Sequence, residues 1–131
     1  MLKKSITYTD FEGKERTEVC YFNISKAELL ELDFSANGGM ESMLRRIVDT
    51  NDTTEMFKIF KKLILMSYGE KSDDGRRFVK VKNGVKLADE FEQTAAYDEL
   101  FMELATNEGA AAEFIKGIIP ANLAAEINAR G

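Results

Sequence analysis

Ionisable groups come closest to a chemically useful spacing in EKSDDGRRFVKV, Glu70 to Val81. A calcium loop needs acidic ligands at alternate positions, then a glycine, and a bidentate glutamate to close it. Here Asp74 and Gly75 are followed at once by Arg76 and Arg77, and no glutamate closes the segment. Cations beside a metal oppose its binding, so Asp74-Gly75 reads as a tight turn ahead of a short extended piece, RRFVKV. Other chemistry is scarcer. The chain has no histidine, which removes Ser-His and Cys-His nucleophile activation and imidazole metal sites. Its single cysteine, Cys20, excludes an intramolecular disulfide, zinc ribbons and iron–sulfur clusters, and suits a reducing compartment. No Walker loop or G-x-G-x-x-G motif follows a strand. Carboxylate-only or lysine-based catalysis stays open in principle, but no paired carboxylates mark such a site. The sequence points to no enzyme activity, no cofactor and no metal. The central stretch is then an exposed joint between two packing units, or a basic contact surface made by Arg76, Arg77 and Lys80.

Charge is distributed unevenly around that joint. The net charge of −5 opposes generic nucleic-acid binding, which needs a basic face to displace counterions. Residues 1–68 are nearly neutral, with ten basic and eleven acidic groups. Residues 71–86 carry Lys71, Arg76, Arg77, Lys80, Lys82 and Lys86 against only Asp73 and Asp74. From Leu87 onward, nine acidic residues stand against Lys116 and Arg130. A basic joint thus introduces an acidic segment, whose charge reads chiefly as a solubility device. No apolar run approaches the roughly 18 residues of a membrane span, and the N-terminus has no signal-peptide h-region.

The elements that must position these groups follow from periodicity. One domain is expected over residues 1–131: a hairpin over 1–24, a first helical unit over 25–68, the basic joint over 69–86 and an acidic helical unit over 87–131. KSITYTD and ERTEVCYFN alternate as strands around FEGK, with Ile6 and Tyr8 sharing one face. Val19 and Tyr21 fall on one face of the second strand and Cys20 and Phe22 on the other, so that strand is expected to be covered on both sides. Cys20 reads as a small apolar filler. Ser25 to Glu28, SKAE, forms a capping box that opens a helix carrying Leu29, Leu30 and Leu32. A second helix carries Met40, Met43, Leu44, Ile47 and Val48. Asp52 and Glu55 cap a third, whose stripe of Met56, Phe57, Phe60, Leu63 and Ile64 makes it the core helix. Gly69 is expected to end it in the left-handed conformation. A short helix with Leu87 and Phe91 follows. Thr94 then caps a helix with Tyr97, Leu100, Phe101 and Leu104 on one side. Phe114 and Ile115 belong to another helix ending near Gly117. Pro120 starts a last one with Leu123 and Ile127. Ile118 and Ile119, between Gly117 and Pro120, read as a hinge. Across it the last helix either exchanges between its own domain and a partner or stays permanently packed or disordered. The methionines at helical spacing read as core, with an adaptable binding surface as the other use. The fold class is therefore mainly α within α+β, a hairpin packed on a multi-helix bundle.

Three segments carry a family resemblance: TYTDFEGKERTEVCYFNISKAELLEL, IFKKLILMSYGEKSDDGRRF and YDELFMELATNEGAAAEFIKGIIP. They cover most of residues 6–120, and in this order they resemble the tail assembly chaperones of long-tailed bacteriophages. VKVKNGVKLADE departs from that pattern. The resemblance implies a non-catalytic binder of the tape-measure protein and the tail tube protein, at work in the bacterial host cytoplasm and absent from the mature virion. It would keep the long helical tape measure soluble while tube subunits polymerise around it. The residues alone also fit a small regulatory or adaptor protein with a stable partner. Neither reading involves nucleic acid or a membrane. A monomer and a weakly self-associating assembly are equally compatible with the sequence.

Overall fold

The computed structural model describes residues 1–35 and 53–119. Two strands, β1 (Leu2–Thr9) and β2 (Glu15–Phe22), open the chain as an antiparallel hairpin with Leu2 opposite Phe22 and Thr9 opposite Glu15. The Asp10 carboxylate organises the turn: one oxygen accepts from the Glu12 and Lys14 amides, each at 2.9 Å, and the other pairs with Arg16. Gly13 supplies the positive φ, +85°, that closes it. Helix α1 (Lys26–Ser35) follows through the expected capping box. The Ser25 amide donates to Glu28 Oε1 at 2.9 Å, and the Glu28 amide donates to Ser25 Oγ at 3.1 Å. The expected second helix and Asp52 lie outside the described residues.

Helix α2 (Thr53–Ser67) runs without a loop into β3 (Tyr68–Lys71). Ser67, fully buried at the junction, donates its hydroxyl to Leu63 O at 2.6 Å. Its carbonyl accepts from the Asn23 amide at 2.7 Å, which draws the strand alongside β2. The expected left-handed helix stop at Gly69 is therefore corrected. Gly69 sits inside β3, opposite Tyr21, and has no positive φ. A Cβ there would lie 2.5 Å from the Phe78 ring and 2.6 Å from the Val79 carbonyl oxygen, so glycine is needed for close approach. Strand β4 (Phe78–Val79) pairs with β3, giving a four-stranded antiparallel sheet in the order β1-β2-β3-β4. A separate small hairpin, β5 (Val81–Lys82) and β6 (Val85–Lys86), turns at Asn83 and Gly84 with φ of 53° and 77°. The stretch expected to be a joint thus extends the N-terminal sheet.

Helices α3 (Leu87–Glu92), α4 (Ala95–Thr106) and α5 (Glu108–Ile118) complete the described chain. Thr94 caps α4 by accepting from the Tyr97 amide, as its position implied. Ile6, Tyr8, Cys20 and Phe22 turn inward to meet Phe60, Leu63, Ile64, Leu100, Leu104 and Phe114 in one core. Phe22 is its centre, in edge contact with Tyr68, Phe91 and Phe114, while Tyr68 stacks on Phe91 at 4.1 Å between centroids. Among the described residues, no element covers the other face of β1 and β2. Lys3, Ser5, Thr7 and Thr9 are exposed, and Val19 is 46% exposed, so the expectation that β2 is covered on both faces is corrected. The architecture is α+β.

Candidate functional site

The basic turn is built from its own polar groups. Ser72 Oγ donates to Asp74 Oδ1 at 2.7 Å, and the Arg76 amide donates to the same oxygen at 3.1 Å. The Arg77 amide donates to Ser72 Oγ at 3.0 Å, and Gly75 adopts φ +76°. The Ser72 hydroxyl, then the Arg76 amide, hold the Asp74 carboxyl below its ordinary pKa. Asp74 is thus occupied in fixing the turn. What the turn presents outward is Arg76 and Arg77, both exposed and neither in an ion pair among the described residues.

Lys80 was expected beside them on the surface, and the structure corrects this. Its ammonium donates to Glu28 Oε2 at 2.6 Å and to the Met66 carbonyl at 2.8 Å, and lies 5.8 Å from the Phe78 ring centroid. It ties the end of α2, whose last carbonyls lack helical partners, to the capping carboxylate of α1. Burial alone would raise the Glu28 pKa, but the Lys80 and Ser25 hydrogen bonds outweigh it and leave the carboxyl below its ordinary value. Lys80 is a clamp on three elements.

Ile118 and Ile119, read as a hinge, lie at the end of α5. Both are buried, and the Ile118 carbonyl accepts from the Ile24 amide at 2.6 Å. Helix α5 continues through Gly117, where a Cβ would lie 2.8 Å from the Leu2 side chain. The glycine serves close packing on β1, and the two isoleucines anchor the end of α5 to the core. Leu123 and Ile127 lie outside the described residues.

Other surface features lie on the helices. Phe57, assigned to the core stripe of α2, remains 39% exposed while its ring meets Phe101 at 5.8 Å. Leu30 and Met102 are exposed as well. Helices α4 and α5 also present Asp98, Glu99, Glu103, Glu108 and Glu113 to solvent. The molecule therefore carries a cationic turn, exposed apolar side chains on its helices and an acidic surface in its second half. Among the described residues no group of three His, Cys, Asp or Glu side chains is placed to hold a metal ion, and no helix is long and apolar enough to cross a membrane.

Such surfaces suit contact with other proteins, and the family comparison says of what kind. The family model described as phage tail assembly chaperone matches residues 1–130. The chain belongs to the phage tail assembly chaperone family. Comparison with curated proteins and with solved structures returns no match. The chaperone match spans both the sheet and the acidic helices, so the basic turn and the exposed apolar groups lie within the family's own region.

Proposed function

We propose that this chaperone binds the tape-measure protein and the tail tube protein during tail morphogenesis, without catalysis. It acts in the host cytoplasm and leaves before the tail is finished. The match of residues 1–130 to the tail assembly chaperone family carries the proposal. The surface supports it in kind. Exposed Phe57, Leu30 and Met102 offer apolar contacts to an amphipathic helix, which docks through a stripe of large side chains. Arg76 and Arg77, held outward by a self-satisfied turn, steer an acidic segment of the partner into place.

Lys80 acts through its clamp on Glu28 and the Met66 carbonyl and not by direct contact. Ile118 and Ile119 reach a partner only if the end of α5 leaves its own core. The test is association of the purified chaperone with the tape-measure protein across a salt series, using native protein and the Arg76→Glu, Arg77→Glu double variant. The variant should fold normally and associate more slowly at low salt, with the difference fading as salt rises. Equal association at every salt concentration would remove the turn from the binding surface. Absence of binding by the native protein would remove the tape measure as a partner.

A further inference from the structure

The open edge of β1 is the surface feature least explained by a monomer. The Asp10 amide donates to the Lys14 carbonyl at 2.8 Å, and the register runs unbroken from there to Leu2 opposite Phe22. That sets the ladder: Tyr8, Ile6, Lys4 and Leu2 exchange backbone bonds with β2. Lys3, Ser5, Thr7 and Thr9 therefore turn their backbone N–H and C=O groups away from β2, toward the outside of the sheet. β1 is the terminal strand in the order β1-β2-β3-β4, and these four residues are exposed with no backbone partner among the described residues. No proline or bulge interrupts the row. An uninterrupted row of this kind templates another strand.

We propose that the occupant is a second copy of the same chain, with the two β1 strands antiparallel about a two-fold axis that passes beside Ile6. Ser5 of each copy then pairs with Thr7 of the other, and Lys3 with Thr9. Three observations select this partner and register. Met1 and Phe11, 55% and 84% exposed, lie at opposite ends of β1, and this alignment brings Met1 of one copy beside the hairpin tip carrying Phe11 of the other. Lys3 of one copy joins Thr9 and Glu15 of the other in a single row across the combined sheet, because Thr9 already faces Glu15. Glu15 has no ion pair of its own among the described residues, and the row places it one strand beyond Thr9, roughly 10 Å from Lys3 between backbones, within reach of the two long side chains. Finally, the Ser5–Thr7 pairs repeat the chemistry of the Thr7–Thr17 hydroxyl pair, 2.9 Å apart, on the same open face. Sliding the strands by two residues separates Met1 from the tip and removes Lys3 from that row. The result is a continuous eight-stranded sheet with helices on one side.

The contact is small, so association is expected at the weak end and should be followed up to about 1 mM of chain. Sedimentation equilibrium of the native protein should show a monomer–dimer exchange. Two double variants test the register: Ser5→Lys with Thr7→Lys, and Ser5→Glu with Thr7→Glu. Each places two like-charge pairs at the seam and should dimerise at least tenfold more weakly, while an equimolar mixture of the two should recover the dimer. Native protein that stays monomeric throughout overturns the proposal, as does a mixture that fails to associate. Amide exchange gives a reading that needs no variant. The Lys3, Ser5 and Thr7 amides should slow with rising concentration, and unchanged rates would overturn the pairing.

Discussion

Replacing Lys80 by methionine keeps an apolar stem of similar length and removes the ammonium that joins Glu28 to the Met66 carbonyl. A hydrogen bond involving a charged group contributes roughly 1.5–3 kcal/mol. The Lys80 and Glu28 side chains remain 23% and 33% exposed, so water screens the pair and about 1–2 kcal/mol is the expected loss. For a chain of this size that lowers Tm by about 4–8 °C. Arg76→Ala and Arg77→Ala, outside the clamp, should each stay within about 0.5 kcal/mol of the native protein. The pH dependence follows from Glu28, whose folded pKa lies below its ordinary value of 4.5. A depressed carboxyl contributes its stabilisation fully above the unfolded pKa and loses it as pH falls through the folded one. The gap between native and Lys80→Met proteins should therefore be complete at neutral pH, shrink below pH 4.5 and fall in stronger acid to the part supplied by the bond to the Met66 carbonyl, which does not titrate. Urea unfolding at several pH values measures it, and Glu28→Gln as a second background isolates the pair. A neutral-pH loss no larger than that of the arginine variants would refute the clamp. So would a gap that persists unchanged in acid or in the Glu28→Gln background.

Gly69→Ala should destabilise by about 1–3 kcal/mol, because the added methyl meets both the Phe78 ring and the Val79 carbonyl. Denaturant midpoints would measure this, and a neutral result would show that β3 and β4 do not approach so closely. Burial, with a smaller contribution from Glu18, pushes the Cys20 thiol up to about 11. At pH 8 its alkylation in the native protein should be about 100-fold or more slower than in urea-unfolded chain. A native rate near the unfolded one would place Cys20 at the surface.

Local signals were legible where both partners are close in sequence. Ser25 and Glu28 cap α1, Thr94 caps α4 and Asp74-Gly75 turns, each as residue chemistry three or fewer positions apart dictates. Cys20 was legible as a core filler because its neighbours alternate. What sequence reasoning missed is non-local. Tyr68–Lys71 is a strand only because β2 offers Tyr21 and Phe22 as partners, and a four-residue segment at a helix end has no periodicity to announce it. Gly69 and Gly117 look like punctuation, yet each answers a close approach, by Phe78 and Leu2. Lys80 resembles its basic neighbours, and its carboxylate partner lies 52 positions away. One missed signal was present: Asn83-Gly84 between two Val-Lys pairs is a hairpin turn in plain sequence. For the surface, Phe57 sits at the margin of an apolar stripe too wide to be wholly covered, and periodicity alone does not say which edge remains exposed.

The proposed role is to keep a tail protein from aggregating by binding it. Its most direct test is co-expression of the chain with the tape-measure protein from the same phage, measuring the soluble fraction and co-purification of the tape measure. A soluble tape measure that co-purifies with the chain, and falls out of solution when the chain is omitted, is the predicted result. A tape measure equally soluble with and without the chain, and recovered free of it, would rule that role out.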